Sequence, residues 1–149
     1  GAVADAALAA GGQVTGIIPD FISQKEIAHP GVQELLTTDS MHTRKRLMHR
    51  RSDAFICLPG GFGTFEELTE ILTWAQLGLH RKPIGVLNVQ GYYEPFLHFL
   101  DHATSQGFVR PAHRGLLLSE TTPEDLLAAF ERHVAPEPLI QWLDEEGDT

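Results

Sequence analysis

Asp53-Ala-Phe-Ile-Cys-Leu58, Pro59-Gly-Gly-Phe-Gly-Thr64 and Phe65-Glu-Glu-Leu68 run consecutively, and their reading decides the fold. The first six residues are nearly continuously apolar, the pattern of a strand buried on both faces of a parallel sheet. Three glycines and a proline then mark a tight turn. From Phe65 to about Leu79, the residues Leu68, Ile71, Leu72, Ala75 and Leu79 recur at helical spacing, so an amphipathic helix follows. Strand, glycine turn and helix together form one half of a parallel α/β unit.

The same alternation extends in both directions. Downstream, Pro83 leads into a strand at Ile84–Val89, a helix runs from Pro95 to about Gln106 with Gly107 closing it, and Leu116–Leu118 forms a short strand. Thr122-Pro123 then starts a helix that ends near Val134. Upstream, Ala2–Ala10 has the composition of a helix stopped by Gly11-Gly12, and Gln13–Ile18 reads as a strand ended by Pro19. Residues 20–31 are irregular, Val32–Thr37 is a second strand, and Thr38, Asp39 and Ser40 offer a cap for a helix from Met41 to Arg51.

Strands alternating with helices predict a three-layer, Rossmann-like parallel sheet with helices on both faces, a single domain over residues 1–134. Because the chain opens on a helix with no strand before it, the first strand of that fold is expected to be missing. Residues 135–149 form an acidic tail in which Leu139, Ile140, Trp142 and Leu143 suit a short docking helix.

Composition narrows the function classes. The chain has 149 residues, 42% hydrophobic and 21% charged, as in an ordinary globular domain. No apolar run approaches the ~20 residues of a membrane span, and no basic-then-apolar leader opens the chain. The single cysteine, Cys57, fits a reducing, cytoplasmic setting. A net charge of −9 argues against coating nucleic acid. Residues 120–149 carry nine acids against one base, so the remaining body is nearly neutral, with five of its ten bases inside Arg44–Arg51. That basic spot suits a small anion.

The glycine turn carries the clearest chemistry. Glycines let the backbone approach a ligand closely, and the helix that follows offers unbonded N–H groups and the positive end of its dipole. Thr64 adds a hydroxyl. The turn lies at the carboxyl end of its strand, where ligands bind in open α/β sheets. No lysine follows Gly63, which excludes a nucleotide-triphosphatase loop. Glu66 occupies the third-glycine position of the dinucleotide fingerprint, and the next strand ends in Asn88 and Gln90 rather than an acid. Glu66, Glu67 and Glu70 fall in the first turns of the helix, where acids commonly just compensate the dipole. Glu67 stands one turn beyond the phosphate loop, within reach of a sugar attached to that phosphate.

In Met41-His-Thr-Arg-Lys-Arg46, helical spacing puts Met41, Arg44 and Met48 on one face with Lys45 beside them. The plain alternative is a helix with a solvated basic face, its last arginines Arg50 and Arg51 matching the dipole. His98 and His102 have the spacing of a metal pair but lack a third ligand, and Phe96, Phe99, Leu100 and Ala103 are expected to be the buried stripe of that helix. Neither the three lysines nor Cys57 sits in a signature for a Schiff base or a nucleophile.

Met41-His-Thr-Arg-Lys45 followed by Pro59-Gly-Gly-Phe-Gly-Thr-Phe-Glu-Glu67 resembles the paired signature MHxRK and PGGxGTxxE of the Lonely Guy family of cytokinin-activating phosphoribohydrolases. The resemblance continues through Ile71–Gly78, Lys82-Pro83, Asn88–Tyr93 and Gly107-Phe108, covering residues 1–134. It implies hydrolysis of the N-glycosidic bond of a cytokinin riboside 5′-monophosphate to free base and ribose 5-phosphate. It implies Arg44 and Glu67 as the catalytic pair, with Glu26, Met41, Lys45, Gly60, Gly61, Phe62, Gly63, Thr64 and Thr73 binding substrate. It further implies no metal or organic cofactor, and a homodimer or larger homo-oligomer with sites near the subunit interface. Proteins of this type are often labelled lysine decarboxylases, a chemistry for which the chain has no cofactor-lysine signature. Family members usually begin with a strand and a glycine-rich segment, and this chain is expected to start at about its last glycine. Two other readings stay open: a nucleotide-binding module without catalysis, and a nucleosidase acting on AMP.

Overall fold

Helix and strand alternate through residues 1–23, 29 and 31–139, which are the residues that the computed structural model of this chain describes. The fold is mixed α/β, and each paired strand runs parallel to its neighbour. Two units, Gly1–Ser52 and Asp53–Thr149, are each internally packed.

The first unit contains α1 (Ala2–Ala9), β1 (Thr15–Pro19), α2 (Asp20–Ser23), β2 (Glu34–Thr38) and α3 (Met41–Arg51). β1 pairs with β2 from Thr15 opposite Glu34 to Pro19 opposite Thr38. Pro19 sits inside β1 rather than after it, at the last position, where a missing N–H does least harm to the ladder. α2 breaks a stretch read as irregular, because one helical turn is too short to show periodicity. α3 has the predicted bounds. The Ser40 hydroxyl accepts the Thr43 N–H at 3.2 Å, satisfying one of the unbonded donors of the first turn. α3 packs on β1 and β2. At its far end Arg51 pairs with Glu34 at 2.7 Å. That hydrogen bond, with another from Thr15, holds the Glu34 carboxyl below its usual range.

The second unit runs β3 (Phe55–Cys57), α4 (Phe62–Gln76), β4 (Ile84–Leu87), a 3-10 turn at Val89–Gly91, α5 (Glu94–Ser105), α6 (Pro111–Arg114), β5 (Leu117–Glu120) and α7 (Pro123–Glu131). Its parallel sheet has the order β3-β4-β5. The central strand behaves as its sequence predicts: Ile84, Gly85 and Val86 are all buried. β3 does not. Ile56 is 46% exposed and Leu58 41% exposed; among the described residues β3 stands at the end of the order β3-β4-β5 and pairs with β4. The apolar run is a sound strand signal, but it overstated burial.

The core of this unit gathers Leu68, Ile71 and Ala75 from α4, Ile84 and Val86 from β4, Tyr93 and Leu97, and Leu116 and Leu117. His80 is buried against it. Its Nε2–H donates to the Ile71 carbonyl at 3.1 Å, and its Nδ1 accepts the Lys82 N–H at 3.1 Å. Burial, with the charge of Lys82, pushes the His80 pKa down from its ordinary value. On α5 the buried stripe differs from expectation. Leu97 is buried and Phe96 and Leu100 are half-buried, but Phe99 is 62% exposed. The helix presents a face rotated toward Leu97. Gly107 takes the predicted left-handed conformation, φ +82°, that closes α5. α7 starts at the predicted cap: the Thr122 hydroxyl accepts the Asp125 N–H at 3.2 Å. No helix among the described residues is long and apolar enough to cross a membrane. The expected docking helix in the tail falls largely on residues 140–149, outside the described residues.

Candidate active site

Helix α4 begins inside the glycine turn, at Phe62, three residues earlier than its periodicity indicates. Gly61 is the N-cap and no side chain caps the helix. The Gly61, Phe62, Gly63 and Thr64 N–H groups therefore have no acceptor within the helix, and the first bond of the ladder runs from the Phe65 N–H to the Gly61 carbonyl at 3.1 Å. A Cβ on Gly61 or Gly63 would meet nothing within 4 Å, so the space above the turn is open. Gly60 is constrained differently: a Cβ there would lie 2.2 Å from the Thr64 hydroxyl oxygen. Only glycine lets the threonine fold back over the turn. The ring of Phe62 is 92% exposed.

Glu67 lies on α4 four residues after Gly63 and three after Thr64, hence on their face of the helix. It is half-buried. Its negative charge reaches the end of β3: the Cys57 thiol is pushed up to about 11, first by burial and then by Glu67. The turn, its hydroxyl and this carboxylate are thus one arrangement at the carboxyl end of β3.

Two tyrosines bond to the turn and to the residue before it. The Tyr93 hydroxyl donates to the Leu58 carbonyl at 2.6 Å, and the Tyr92 hydroxyl donates to the Gly60 carbonyl at 2.5 Å. Their rings meet edge to face, with centroids 5.1 Å apart. Asn88 holds the segment that presents them, accepting the Tyr93 N–H at 2.8 Å and donating to Glu94 at 2.7 Å.

Within the Gly1–Ser52 unit, taken by itself, α3 carries the basic residues. The Arg44 Nε donates to the Ile17 carbonyl at 3.2 Å. Arg44 lines an open cavity of about 580 Å³ with Thr15, Ile17, Met48, Arg51 and Ser52. Met41 is half-buried at the first helical position, while Lys45 is only 8% exposed. A helix with a merely solvated basic face does not bury a lysine in its first turns.

Residues 1–130 match the family described as "possible lysine decarboxylase". The chain belongs to this family. Among its relatives, the rice (Oryza sativa subsp. japonica) protein named probable cytokinin riboside 5′-monophosphate phosphoribohydrolase LOGL9 is 48% identical over 134 residues, 90% of this chain and 59% of the relative. Rice cytokinin riboside 5′-monophosphate phosphoribohydrolase LOG is 46% identical over 146 residues, 97% of this chain and 60% of the relative. LOG2 of Arabidopsis thaliana, with the same enzyme name, is 45% identical over 134 residues, 90% of this chain and 63% of the relative. These matches uphold the resemblance to the Lonely Guy family. The chain spans between 54% and 64% of the length of the curated relatives it matches.

Of the residues that the family signature singles out, the structure brings together Gly60, Gly61, Phe62, Gly63, Thr64 and Glu67 on one turn and the start of one helix. Met41, Arg44 and Lys45 are neighbours on α3. Thr73 stands nine residues beyond Thr64, roughly 13 Å along the helix axis. There its hydroxyl donates to the Thr69 carbonyl at 2.7 Å. It lines a separate cavity of about 150 Å³ with Leu72, Gln76, Leu100, His113 and Leu116. Glu26 lies outside the described residues. Reading the sequence missed Asn88, Tyr92 and Tyr93 as parts of the site, although Asn88–Tyr93 belongs to the family pattern. The one available signal was two adjacent tyrosines after a glycine, and nothing local says what their hydroxyls meet.

Proposed function

We propose that this chain belongs to an enzyme that hydrolyses the N-glycosidic bond of cytokinin riboside 5′-monophosphates, giving the free base and ribose 5-phosphate. The observation that carries this reading is the uncapped start of α4, open above Gly61 and Gly63, with Glu67 on the same helix face. Four N–H groups and a helix dipole suit a phosphate. The ribose of a 5′-monophosphate seated there extends past the first turn toward Glu67.

In the reaction, the C1′–N9 bond breaks with its electron pair leaving on the purine. A water oxygen bonds to C1′, and a proton ends on the departing base. Glu67 steadies the positive charge that develops on the sugar, or its hydroxyls, as glycosidic carboxylates do. Arg44 orients the substrate or balances charge on departure. Gly60, Gly61, Phe62, Gly63 and Thr64 hold the phosphate, with Lys45, Met41, Thr73 and Glu26 completing the binding site by the family resemblance. The same resemblance supports a cytoplasmic homodimer or larger homo-oligomer that needs no metal or organic cofactor. Parallel pairing within each unit, with helices between the strands, supports a Rossmann-like arrangement; the reading of residues 1–134 as one domain followed by an acidic tail rests on the family resemblance.

Isopentenyladenosine 5′-monophosphate and AMP, each incubated with the protein and assayed for ribose 5-phosphate, separate the readings. The proposal expects release from the isopentenyl substrate in preference to AMP. Release from AMP alone would replace it with an AMP nucleosidase. Tight binding of both with no release would leave a nucleotide-binding module.

A further inference from the structure

Asn88 to Tyr93 is a strained and tightly bonded segment. Gln90 has φ +52° and Gly91 φ +73°, and a non-glycine residue in that region persists only where its surroundings over-determine it. Here they do. Asn88 is 3% exposed and Tyr93 is fully buried. Asn88 bonds Tyr93 and Glu94 through its side chain, and its N–H donates to the Glu120 carbonyl at 2.8 Å. The product of this investment in strain is two hydroxyls delivered to the glycine turn.

The two hydroxyls do different things. Tyr93 anchors Leu58; the next residue is Pro59, which has no N–H, so fixing this carbonyl fixes only the strand end. Tyr92 holds Gly60, and there the following residue is Gly61, the N-cap of α4. No peptide bond among the described residues is cis. In a planar trans peptide the C=O and the next N–H point in opposite directions. Holding the Gly60 carbonyl against Tyr92 therefore aims the Gly61 N–H away from Tyr92. Gly60 and Gly61 lack side chains to resist rotation, so the hydrogen bond from Tyr92 restrains this plane, as the Phe65 N–H restrains the Gly61 carbonyl.

We propose that Tyr92 is a positioning residue for the substrate phosphate: its hydroxyl, by holding the Gly60 carbonyl, orients the Gly61 N–H toward the anion. This rests on the reading of the turn as a phosphate site. Removing the hydroxyl frees the peptide plane of two adjacent glycines, and the first anion-facing donor is then no longer preset. The ring, its edge contact with Tyr93 and the fold survive in Tyr92→Phe.

The test is calorimetric titration of AMP and of adenosine into the wild type and Tyr92→Phe, with a thermal melt of each. The wild type binds AMP more tightly than adenosine. Tyr92→Phe loses about three- to ten-fold in AMP affinity, the range set by one hydrogen bond, with adenosine affinity unchanged and the melt within a few degrees. A wild type that binds both ligands equally overturns the phosphate reading and the clamp with it. A discriminating wild type and an equally discriminating Tyr92→Phe overturn the clamp alone. Equal weakening of both ligands with a lowered melt also overturns it, since the hydroxyl then serves only the fold.

Discussion

Gly60 is a glycine on account of Thr64. The alanine methyl in Gly60→Ala would stand 2.2 Å from the threonine hydroxyl oxygen, so the substitution must expel the side chain or open the turn. Either change removes a donor from the proposed phosphate site. The expected result is a loss of AMP affinity on the order of ten-fold, the cost of one charge-assisted hydrogen bond, read by calorimetry. Undiminished affinity would show that the hydroxyl takes no part. At this scale the sequence was legible where chemistry is local: three glycines and a threonine between a strand and a helix describe their own turn. The clamp was not legible, because Tyr92 and Tyr93 act on residues 32 and 35 positions earlier. Only the folded sheet brings those positions together.

Among the elements, helix starts with a side-chain cap were the most legible part, whereas uncapped α4 begins three residues before its periodicity shows. Ser40 and Thr122 cap α3 and α7 as their side chains predict, since a cap is a contact over two or three residues. Thr122→Ala removes the acceptor for the Asp125 N–H and is expected to cost about 1 kcal/mol in a urea titration. A midpoint unchanged from wild type would place that helix end outside the cooperative unit. Strand burial was less legible, because it depends on what lies alongside. β3 and β4 have similar apolar sequences, yet Ile56 is exposed at the end of the described order β3-β4-β5 while Val86 is fully buried in its middle. Gly85 makes the same point about packing. A Cβ there would meet Leu126 at 2.6 Å and the Phe130 ring at 2.8 Å. Gly85→Ala is expected to cost about 1–3 kcal/mol by forcing α7 off the strand. A neutral result would mean that α7 yields freely.

Across the whole molecule, buried titratable groups set a stability window in pH. Burial lowers the pKa of His80 and of His133 from the ordinary 6.5. The unfolded chain then takes up protons before the folded one, so stability present above pH 6.5 is lost as the pH falls through the lowered values. Cys57 is raised to about 11 from 9.0 and Tyr93 to about 12 from 10.0, each chiefly by burial. The unfolded forms ionise first, so stability present below those ordinary values is lost as the pH rises toward the raised ones. Urea midpoints are expected to be flat between about pH 7 and 9 and to fall on both sides. An alkaline limb that persists unchanged in Cys57→Ala and Tyr93→Phe would overturn the assignment. Charge at this scale also changes meaning. The overall −9 gathers toward the C-terminal residues, leaving Arg44 and Lys45 in a nearly neutral stretch of sequence suited to a small anion.

In the proposed reaction the start of α4 holds the phosphate of a nucleotide, with Glu67 at its sugar. Ribose 5-phosphate release from isopentenyladenosine 5′-monophosphate by the wild type and by Glu67→Gln tests it most directly. The wild type is expected to release ribose 5-phosphate and free base in equal amounts. Glu67→Gln should retain binding and lose about 10²–10³-fold in turnover, as when a charge-stabilising group is removed. Equal turnover by the two proteins would contradict it.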